Sequence, residues 1–132
     1  NLMQFAPIHS YFQVIINKSV NSEPLTVFPS RLLCSNTNIL TIFINRFEFS
    51  NNNFKKLKHS VLLQEAIVVQ GVSYVLIAII DHHGDTLNSG HYTAQVKYDK
   101  WYACNDSRIG EINTRNTFSD TAYVLFFKRV DI

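Results

Sequence analysis

Three short apolar runs constrain the fold of this sequence more than any other feature. They cover residues 39–44, 74–80 and 122–127, and each is rich in β-branched or aromatic residues and bounded by polar ones. Short runs of this kind favour strands over helices. Because the runs do not alternate between apolar and polar residues, we expect strands that are covered on both faces.

Weaker strand patterns occur at residues 11–16, 91–98 and 101–104. Helix signals are sparse. Residues 29–33 fit a single helical turn or the end of a helix, and residues 61–69 fit either a helix or a strand. The sequence therefore predicts one β-rich domain of the α+β class over residues 1–132, with a mostly antiparallel sheet and few short helices.

The segment 91–98 alternates between polar and apolar residues, which is typical of a half-buried strand. The positions expected to face a core are Tyr92, Ala94, Val96 and Tyr98. His91 then starts the outward face. The next two residues, 99–100, are expected to form a hairpin turn, and the polar stretches 50–58 and 110–120 are expected to be connections.

Composition excludes several classes of protein. A chain of 132 residues with 46% hydrophobic and 17% charged residues has the length of one domain and is too apolar for intrinsic disorder. A net charge of +2 is too small to indicate a nucleic-acid partner. No apolar run reaches the roughly 18 residues of a membrane span, so no membrane partner is expected. Two cysteines exclude a disulfide-dense scaffold.

The residues that indicate chemistry lie around His91. Gly90 precedes it and allows a sharp turn or a close approach of another chain. A histidine at the mouth of a strand is a suitable general base, since its ordinary pKa lies near neutrality. Asn105 or Asp106 lies beyond the next strand and could accept a hydrogen bond from the imidazole, which is the base-plus-orienter pattern of a nucleophilic hydrolase.

Strand register decides which of these two residues reaches His91. With a two-residue turn, Thr93 pairs with Asp106, and Asp106 shares the face of His91. A three-residue loop or one bulge shifts the pairing and brings Asn105 to that face instead. The sequence leaves both registers open.

At these positions the chain resembles the C-terminal part of the ubiquitin-specific protease family, which are cysteine-type deubiquitinases of papain-like architecture. Residues 89–94 (Ser-Gly-His-Tyr-Thr-Ala) resemble the histidine box, and residues 101–107 resemble the stretch holding the third catalytic residue, which corresponds to Asn105. Further similar segments are residues 40–47, ending in Arg-Phe, residues 81–84 before the histidine box, and the closing strand at 123–129. Several motifs in the right order make the match specific.

The resemblance implies hydrolysis of the bond after the C-terminal glycine of ubiquitin or of a ubiquitin-like modifier. A cysteine thiolate would attack the carbonyl, His91 would act as base and then acid, and Asn105, or by the simpler register Asp106, would orient His91. No cofactor and no metal are required. The expected residues of the channel for the ubiquitin tail are Gly84, Ser89, Gly90 and Tyr92.

The family's nucleophile lies in a box of the type Gly-Asn-Thr-Cys-Tyr, and this sequence contains no such box. Neither Cys34 nor Cys104 matches it. The chain thus resembles the palm half of the protease, and because it opens at Asn1, we expect a piece of something longer. Alone it should be inactive, with an N-terminal half carrying the cysteine as its partner in an intracellular compartment, cytoplasmic or nuclear. The alternative is a catalytically inactive module that binds ubiquitin or another protein.

Two other groups of residues have simpler interpretations. His82 and His83 are adjacent, but no second cluster has metal-ligand spacing, which argues against a zinc site. The lysines at positions 55, 56 and 58 form a basic cluster that is expected to be a solvated loop face.

Overall fold

The computed structural model describes residues 3–5, 14–17, 24–27, 37–69, 71–86 and 89–130. Fourteen strands and no helix lie within these ranges, and all strand pairs are antiparallel. The β-rich antiparallel class predicted from the sequence is confirmed. The turn expected at 29–33 lies outside the described residues. The strands are β1 (Met3–Phe5), β2 (Val14–Asn17), β3 (Pro24–Val27), β4 (Ile39–Ile44), β5 (Phe47–Ser50), β6 (Asn53–Lys56), β7 (Ser60–Leu62), β8 (Ala66–Val69), β9 (Val72–His83), β10 (His91–Lys97), β11 (Trp101–Asn105), β12 (Arg108–Ile112), β13 (Phe118–Ser119) and β14 (Ala122–Arg129).

One eight-stranded sheet organises the described chain. Its order is β1-β4-β14-β9-β10-β11-β12, and β8 joins the same edge of β9 as β10 does. A four-stranded sheet has the order β13-β7-β2-β3, and β5 and β6 form a separate hairpin. The twelve-residue strand β9 is the centre of the large sheet, because its first residues pair with β8 and its last with β10, while β14 lines its other edge.

The strands predicted from the strongest apolar runs are present, but β4 is not covered on both faces. Leu40, Ile42 and Ile44 are buried, whereas Ile39 and Phe43 are 44% and 46% exposed. The alternation follows because only one face of β4 packs on the core. The core itself is built from the buried side chains Leu40, Ile42, Ile44, Val61, Leu63, Ile67, Val69, Val72, Tyr74, Leu76, Ile79, Trp101, Ala122, Leu125 and Phe127.

The expected core face of residues 91–98 is wrong. Tyr92 and Tyr98 are 56% and 89% exposed, and Val96 is also exposed. The opposite face of the sheet is the better covered one: on neighbouring strands it carries buried Asp81, bonded by Thr121, and buried Trp101, whose ring lies 5.1 Å from the Arg115 guanidinium. The segment after β12 therefore covers the side of β10 that was expected to face solvent.

Two stretches expected to be connections form hairpins instead. β5 and β6 are joined by Asn51 and Asn52, both in the left-handed region with φ of 50° and 61°. Two consecutive residues of this conformation make the type I′ turn that suits a two-residue hairpin, and asparagine tolerates it. β12 likewise pairs with β11 where residues 110–120 were expected to start a connection. Across the described ranges, no helix has the length and apolar character that crossing a membrane requires.

Candidate active site

His91 and Asn105 meet at the end of the β10–β11 hairpin. His91 is the first residue of β10 and Asn105 is the last of β11. The Nε2 atom of His91 lies 2.6 Å from the Oδ1 atom of Asn105. Both side chains are exposed. The structure thus brings the predicted base and one of its two predicted orienters into hydrogen-bond contact.

The hairpin register explains why Asn105 is the residue that reaches His91. Lys97 pairs with Trp101 and Ala94 with Cys104, which leaves residues 98–100 as a three-residue loop. Continuing this pairing places Thr93 opposite Asn105, so Asn105 shares the face of His91. Of the two registers left open by the sequence, the three-residue loop is the one that forms.

Contacts around Asp99 close this loop. The Tyr98 amide donates to the Lys100 carbonyl at 2.9 Å, and the Tyr102 hydroxyl donates to the Asp99 carboxylate at 2.7 Å. This second hydrogen bond lowers the pKa of Asp99 and raises that of Tyr102. Tyr98 leaves the ladder to complete the loop and is almost fully exposed.

Asp106 occupies the turn between β11 and β12. Asn105 pairs with Arg108 across this turn, and Asp106 has a φ of 52°. Aspartate is one of the residues that tolerate this left-handed conformation. The ring of His91 is therefore bonded to Asn105, while its neighbour Asp106 forms the turn beyond the strand.

The His91–Asn105 contact defines the tautomer of the histidine. An amide oxygen only accepts hydrogen bonds, so Nε2 of His91 carries the hydrogen and donates it. In a neutral imidazole the other nitrogen, Nδ1, is then the one that can take up a proton. The arrangement can orient the ring and abstract a proton at Nδ1, which is the base-and-orienter part of a nucleophilic site.

The loop before His91 is shaped by close backbone packing. A Cβ on Gly90, whose φ is 147°, would lie 2.5 Å from Nε2 of His82 and equally close to the His83 carbonyl. A Cβ on Gly84 would lie 3.0 Å from the Cα atom of Gly90. Ser89 donates its amide to Thr86 Oγ1 at 3.1 Å. Position 90 therefore requires glycine because the loop end packs on His82 and His83, whether or not a substrate is bound.

Lys56 is buried, so the prediction of a solvated basic cluster is wrong for this residue. Its side chain is 8% exposed, whereas Lys55 and Lys58 are exposed. Lys58 forms an ion pair with Asp85, which lowers the pKa of that carboxyl. Burial, together with the charges of Arg46 and Lys58, lowers the pKa of Lys56. Alternation along β6 hides one lysine and exposes its neighbour, which composition alone does not reveal.

His82 is also buried, at 2% exposure, and lies on the opposite face of β9 from His83. Its ring packs against Tyr92 at 4.9 Å, Tyr123 at 5.2 Å and Phe47 at 6.2 Å between ring centroids. Burial, and next the charge of Lys56, lower the pKa of His82. The ring is therefore neutral at physiological pH.

Arg46 is a further buried group, and sequence reasoning gave it no role. It is fully buried between β4 and β5 and donates to the carbonyls of Ala122 at 2.7 Å, His59 at 2.7 Å, and Leu57 and Ser119 at 3.1 Å. Burial lowers its pKa to about 10, although Asp120 and Asp81 act in the opposite direction. The sequence signals were its position directly after a predicted strand and the Arg-Phe ending of the segment 40–47 that resembles the protease family.

A cavity of about 410 Å³ lies next to Asn105, and its lining includes Asp81, His83, Thr93 and Arg115. Asp81 is buried and accepts hydrogen bonds from Gln95 at 2.8 Å and Thr121 at 3.0 Å. The part of the chain that the structure describes holds no cluster of three or more His, Cys, Asp or Glu side chains placed to bind a metal ion.

Cys104 is the cysteine that lies within the described residues. Cys104 is a free, half-buried thiol. It directly precedes Asn105 in β11, and neighbouring residues of a strand point to opposite faces, so its thiol is directed away from the face that holds His91. Cys34 lies outside the described residues.

Comparison with known proteins places the chain in a family. The family described as Ubiquitin carboxyl-terminal hydrolase matches residues 6–127. The chain belongs to this family. The resemblance identified in the sequence is thereby confirmed, and the motifs fall within the matched residues except for the last two residues of the closing strand, 128–129.

Curated relatives are much longer than this chain. Ubiquitin carboxyl-terminal hydrolase 5 of Arabidopsis thaliana is 34% identical over 105 residues, covering 69% of this chain and 11% of the relative. Ubiquitin carboxyl-terminal hydrolase 12 of Saccharomyces cerevisiae is 34% identical over 111 residues, covering 74% of this chain and 9% of the relative. The chain therefore spans about a tenth of the length of these relatives.

Solved structures share the fold. The structure titled "Structure of the Ubp8-Sgf11-Sgf73-Sus1 SAGA DUB module" matches with a TM-score of 0.63 and 25% identity, over 93% of this chain and 29% of that one. The SAGA module Ubp8/Sgf11/Sus1/Sgf73 bound to ubiquitin aldehyde matches with a TM-score of 0.65 and 17% identity, over 96% of this chain and 42% of that one. The antiparallel architecture described above is thus a known fold, of which this chain corresponds to less than half.

Proposed function

We propose that this chain is the C-terminal, palm part of a cysteine-type deubiquitinase, in which His91 is the general base and Asn105 orients it. The observation that carries the proposal is the 2.6 Å contact between His91 Nε2 and Asn105 Oδ1. It leaves Nδ1 as the nitrogen that takes the proton of a thiol. Membership of the ubiquitin carboxyl-terminal hydrolase family supplies the reaction class.

The proposed reaction proceeds in two steps. First, Nδ1 of His91 takes the proton of a cysteine thiol, and the thiolate attacks the carbonyl carbon of the C-terminal glycine of ubiquitin. The amine leaves with the proton held by His91, and a thioester remains. Second, His91 accepts a proton from water, the hydroxide attacks the thioester, and the thiol leaves with the proton. Neither step uses a cofactor or a metal.

The nucleophile belongs to an N-terminal part that is not in this chain. The sequence contains no thiol box, and Cys104 is directed away from the face that holds His91. Exposure of His91 and Asn105 fits this assignment, because a thiol from another segment must reach Nδ1. We accordingly propose that residues 1–132 form a single domain that contributes His91 and Asn105 to an active site, and that the N-terminal part contributes the cysteine.

Ubiquitin is the proposed substrate, and its tail is proposed to pass along the loop before His91. Solved structures of this fold include one bound to ubiquitin aldehyde. The loop ends at Gly84 and Gly90 carry no side chain, and Tyr92 beside them is 56% exposed. Ser89 is also exposed. An intracellular compartment is proposed, since ubiquitin conjugates are its substrates.

The experiment uses a grafted protease, defined as Ubiquitin carboxyl-terminal hydrolase 5 of Arabidopsis thaliana in which this chain replaces the segment that it matches. We expect the grafted protease to hydrolyse a fluorogenic amide at the C-terminus of ubiquitin, and the 132-residue chain alone to show no turnover. The unmodified relative is the positive control. The isolated chain with Cys34→Ala tests whether any residual turnover depends on that thiol.

The alternative is an inactive binding module, and the same experiment separates it from the protease. A grafted protease that folds with a sharp thermal transition and binds ubiquitin, but does not hydrolyse the amide, contradicts the proposed function and supports the module. Turnover by the isolated chain that disappears in Cys34→Ala contradicts the assignment of the nucleophile to an N-terminal part.

A further inference from the structure

Lys56 uses all of its hydrogen-bonding capacity on one short segment of the chain. Its Nζ atom lies 2.7 Å from the Gly84 carbonyl, 3.0 Å from the His82 carbonyl and 3.1 Å from Nδ1 of His82. An ammonium group has three donors and no acceptor. These three acceptors therefore satisfy it completely, as a cation with 8% exposure requires.

This contact determines the tautomer of His82. Since the ammonium of Lys56 can only donate, Nδ1 of His82 accepts, and the neutral ring carries its hydrogen on Nε2. The Ser89 backbone acts in the opposite direction and partly offsets the lowering of the His82 pKa by burial and by Lys56. With Nδ1 occupied, the Nε2 side of the ring is the one that faces Gly90.

Lys56 and His82 together contact both ends of the loop that precedes His91. The Lys56 ammonium holds the first end through the carbonyl of Gly84. The His82 ring packs against the second end at Gly90, where an added Cβ would be 2.5 Å from its Nε2 atom. His91 is the next residue after this end.

We propose that Lys56 and His82 are positioning residues that clamp the two ends of the loop before His91, at Gly84 and Gly90, and thereby fix the start of β10, from which His91 reaches Asn105. The hydrogen bonds of Lys56 go to Gly84 and His82, whereas the ring of His91 is bonded to Asn105. The consequence of the clamp for catalysis rests on the proposed function of His91, whereas the clamp itself is a set of contacts within the fold. The two are therefore tested by different measurements.

The titratable groups that face the His82 ring come from three other strands. Lys56 faces it from β6, Tyr92 from β10 and Tyr123 from β14, while His83 is its neighbour along β9. Lys56 is the cation among them that bonds the ring directly. Protonation of Nδ1 would remove its acceptor and place two positive charges in contact, so the clamp requires a neutral His82.

The test is nitrogen-15 NMR of the 132-residue chain, with imidazole nitrogens and backbone amides as readouts. In the wild type, the nitrogen shifts of His82 should show hydrogen on Nε2 and none on Nδ1. In Lys56→Met, which keeps the length of the side chain, the pKa of His82 should rise. Amide exchange at residues 90–92 should accelerate about tenfold or more, as expected for the loss of hydrogen bonds to a charged group.

Lys55→Met is the matched control, since Lys55 is the exposed neighbour on the same strand. It should change neither the His82 pKa nor the exchange rates. A wild-type His82 with hydrogen on Nδ1 would overturn the clamp, and this result remains decisive if Lys56→Met does not fold. Unchanged exchange at residues 90–92 in a folded Lys56→Met would overturn it as well. None of these readouts needs hydrolysis, so failure of the clamp is distinguishable from failure of the protease proposal.

Discussion

His91 and His82 occupy neighbouring strands and have opposite surroundings. His91 is exposed, lies at a strand end and is bonded to the neutral side chain of Asn105. His82 is buried among aromatic rings, bonded to a lysine cation and kept neutral. Nε2 of His91 is bonded to Asn105 and its Nδ1 is the nitrogen proposed to take a proton from outside the chain, whereas Nδ1 of His82 is bonded to Lys56 within it.

The difference shows how one pair of strands can hold a structural histidine on one face and a proposed catalytic histidine on the other. Alternation sends His83 and His91 to one face of the sheet, and His82 and Tyr92 to the other. The His82 ring, buried on its face, packs against the loop, while the histidine proposed to be catalytic stays accessible on the other face. A substitution at His91 should therefore change turnover without changing stability, whereas a substitution at His82 should lower stability.

The largest effect is expected for His91→Ala in the grafted protease. Loss of an essential base should lower turnover by about 10⁴-fold. The free energy of unfolding should change by less than about 0.5 kcal/mol, because the side chain is exposed. Turnover of the ubiquitin amide and urea unfolding measure the two quantities. Full turnover in the variant would contradict the role of His91 as the base. Loss of folding together with activity would show that His91, like His82, supports the fold.

The next largest effect concerns the buried support. Arg46→Met in the 132-residue chain leaves four carbonyls without their donor, and should lower the free energy of unfolding by about 3 kcal/mol or more. Arg108→Met, at an exposed position of β12, is the control and should stay within about 0.5 kcal/mol of the wild type. Equal urea midpoints for the two variants would contradict a structural role for Arg46.

Gly90→Ala should have a smaller effect on stability. The new Cβ would collide with the ring of His82, and alanine is strained at a φ of 147°, so a loss of about 2 kcal/mol is expected. Gly110→Ala is the matched control, because an added Cβ there meets nothing within 4 Å. If thermal unfolding shows the same loss for both variants, the close packing of the loop on His82 is not what requires the glycine.

The smallest effect is the pH dependence that His82 contributes. Its pKa in the folded chain is below the value of 6.5 that it has when unfolded. The unfolded state therefore binds more protons as the pH falls below about 6.5, and the free energy of unfolding decreases. Urea unfolding between pH 7 and pH 5 should show this slope, reduced in His82→Gln and retained in His83→Gln. If the slope is unchanged in His82→Gln, the pH dependence comes from other groups.

Much of the fold follows from local pattern, whereas the register of the site does not. The runs at 39–44, 74–80 and 122–127 predicted β4 and parts of β9 and β14, because short β-branched segments have few other stable outcomes. The β10–β11 register depends on whether Tyr98 stays in the ladder. That choice is made by the loop contacts of Asp99, and their energies are too small and too specific to read from residue types.

Burial of polar side chains was the other feature that the sequence did not provide. Three lysines within four positions look equivalent in the sequence, but Lys56 is the buried one among them. Its acceptors, the carbonyls of His82 and Gly84, are distant in the sequence, so the residues around Lys56 do not indicate that it is buried. Likewise, Tyr92 and Val96 were assigned to a core by polarity alone. In the structure, the segment after β12 covers the other face of β10, which residue patterning within β10 cannot encode.

The central claim, that Asn105 orients a catalytic His91, is tested most directly by comparing Asn105→Ala and Asp106→Ala in the grafted protease. The measurement is turnover of the ubiquitin amide. Asn105→Ala should lower it by about 10²-fold or more, since the ring loses the acceptor of its Nε2 hydrogen. Asp106→Ala should stay within about threefold of the unsubstituted graft, and Asn105→Asp should retain turnover because a carboxylate also accepts from Nε2. A larger loss for Asp106→Ala than for Asn105→Ala would contradict the claim.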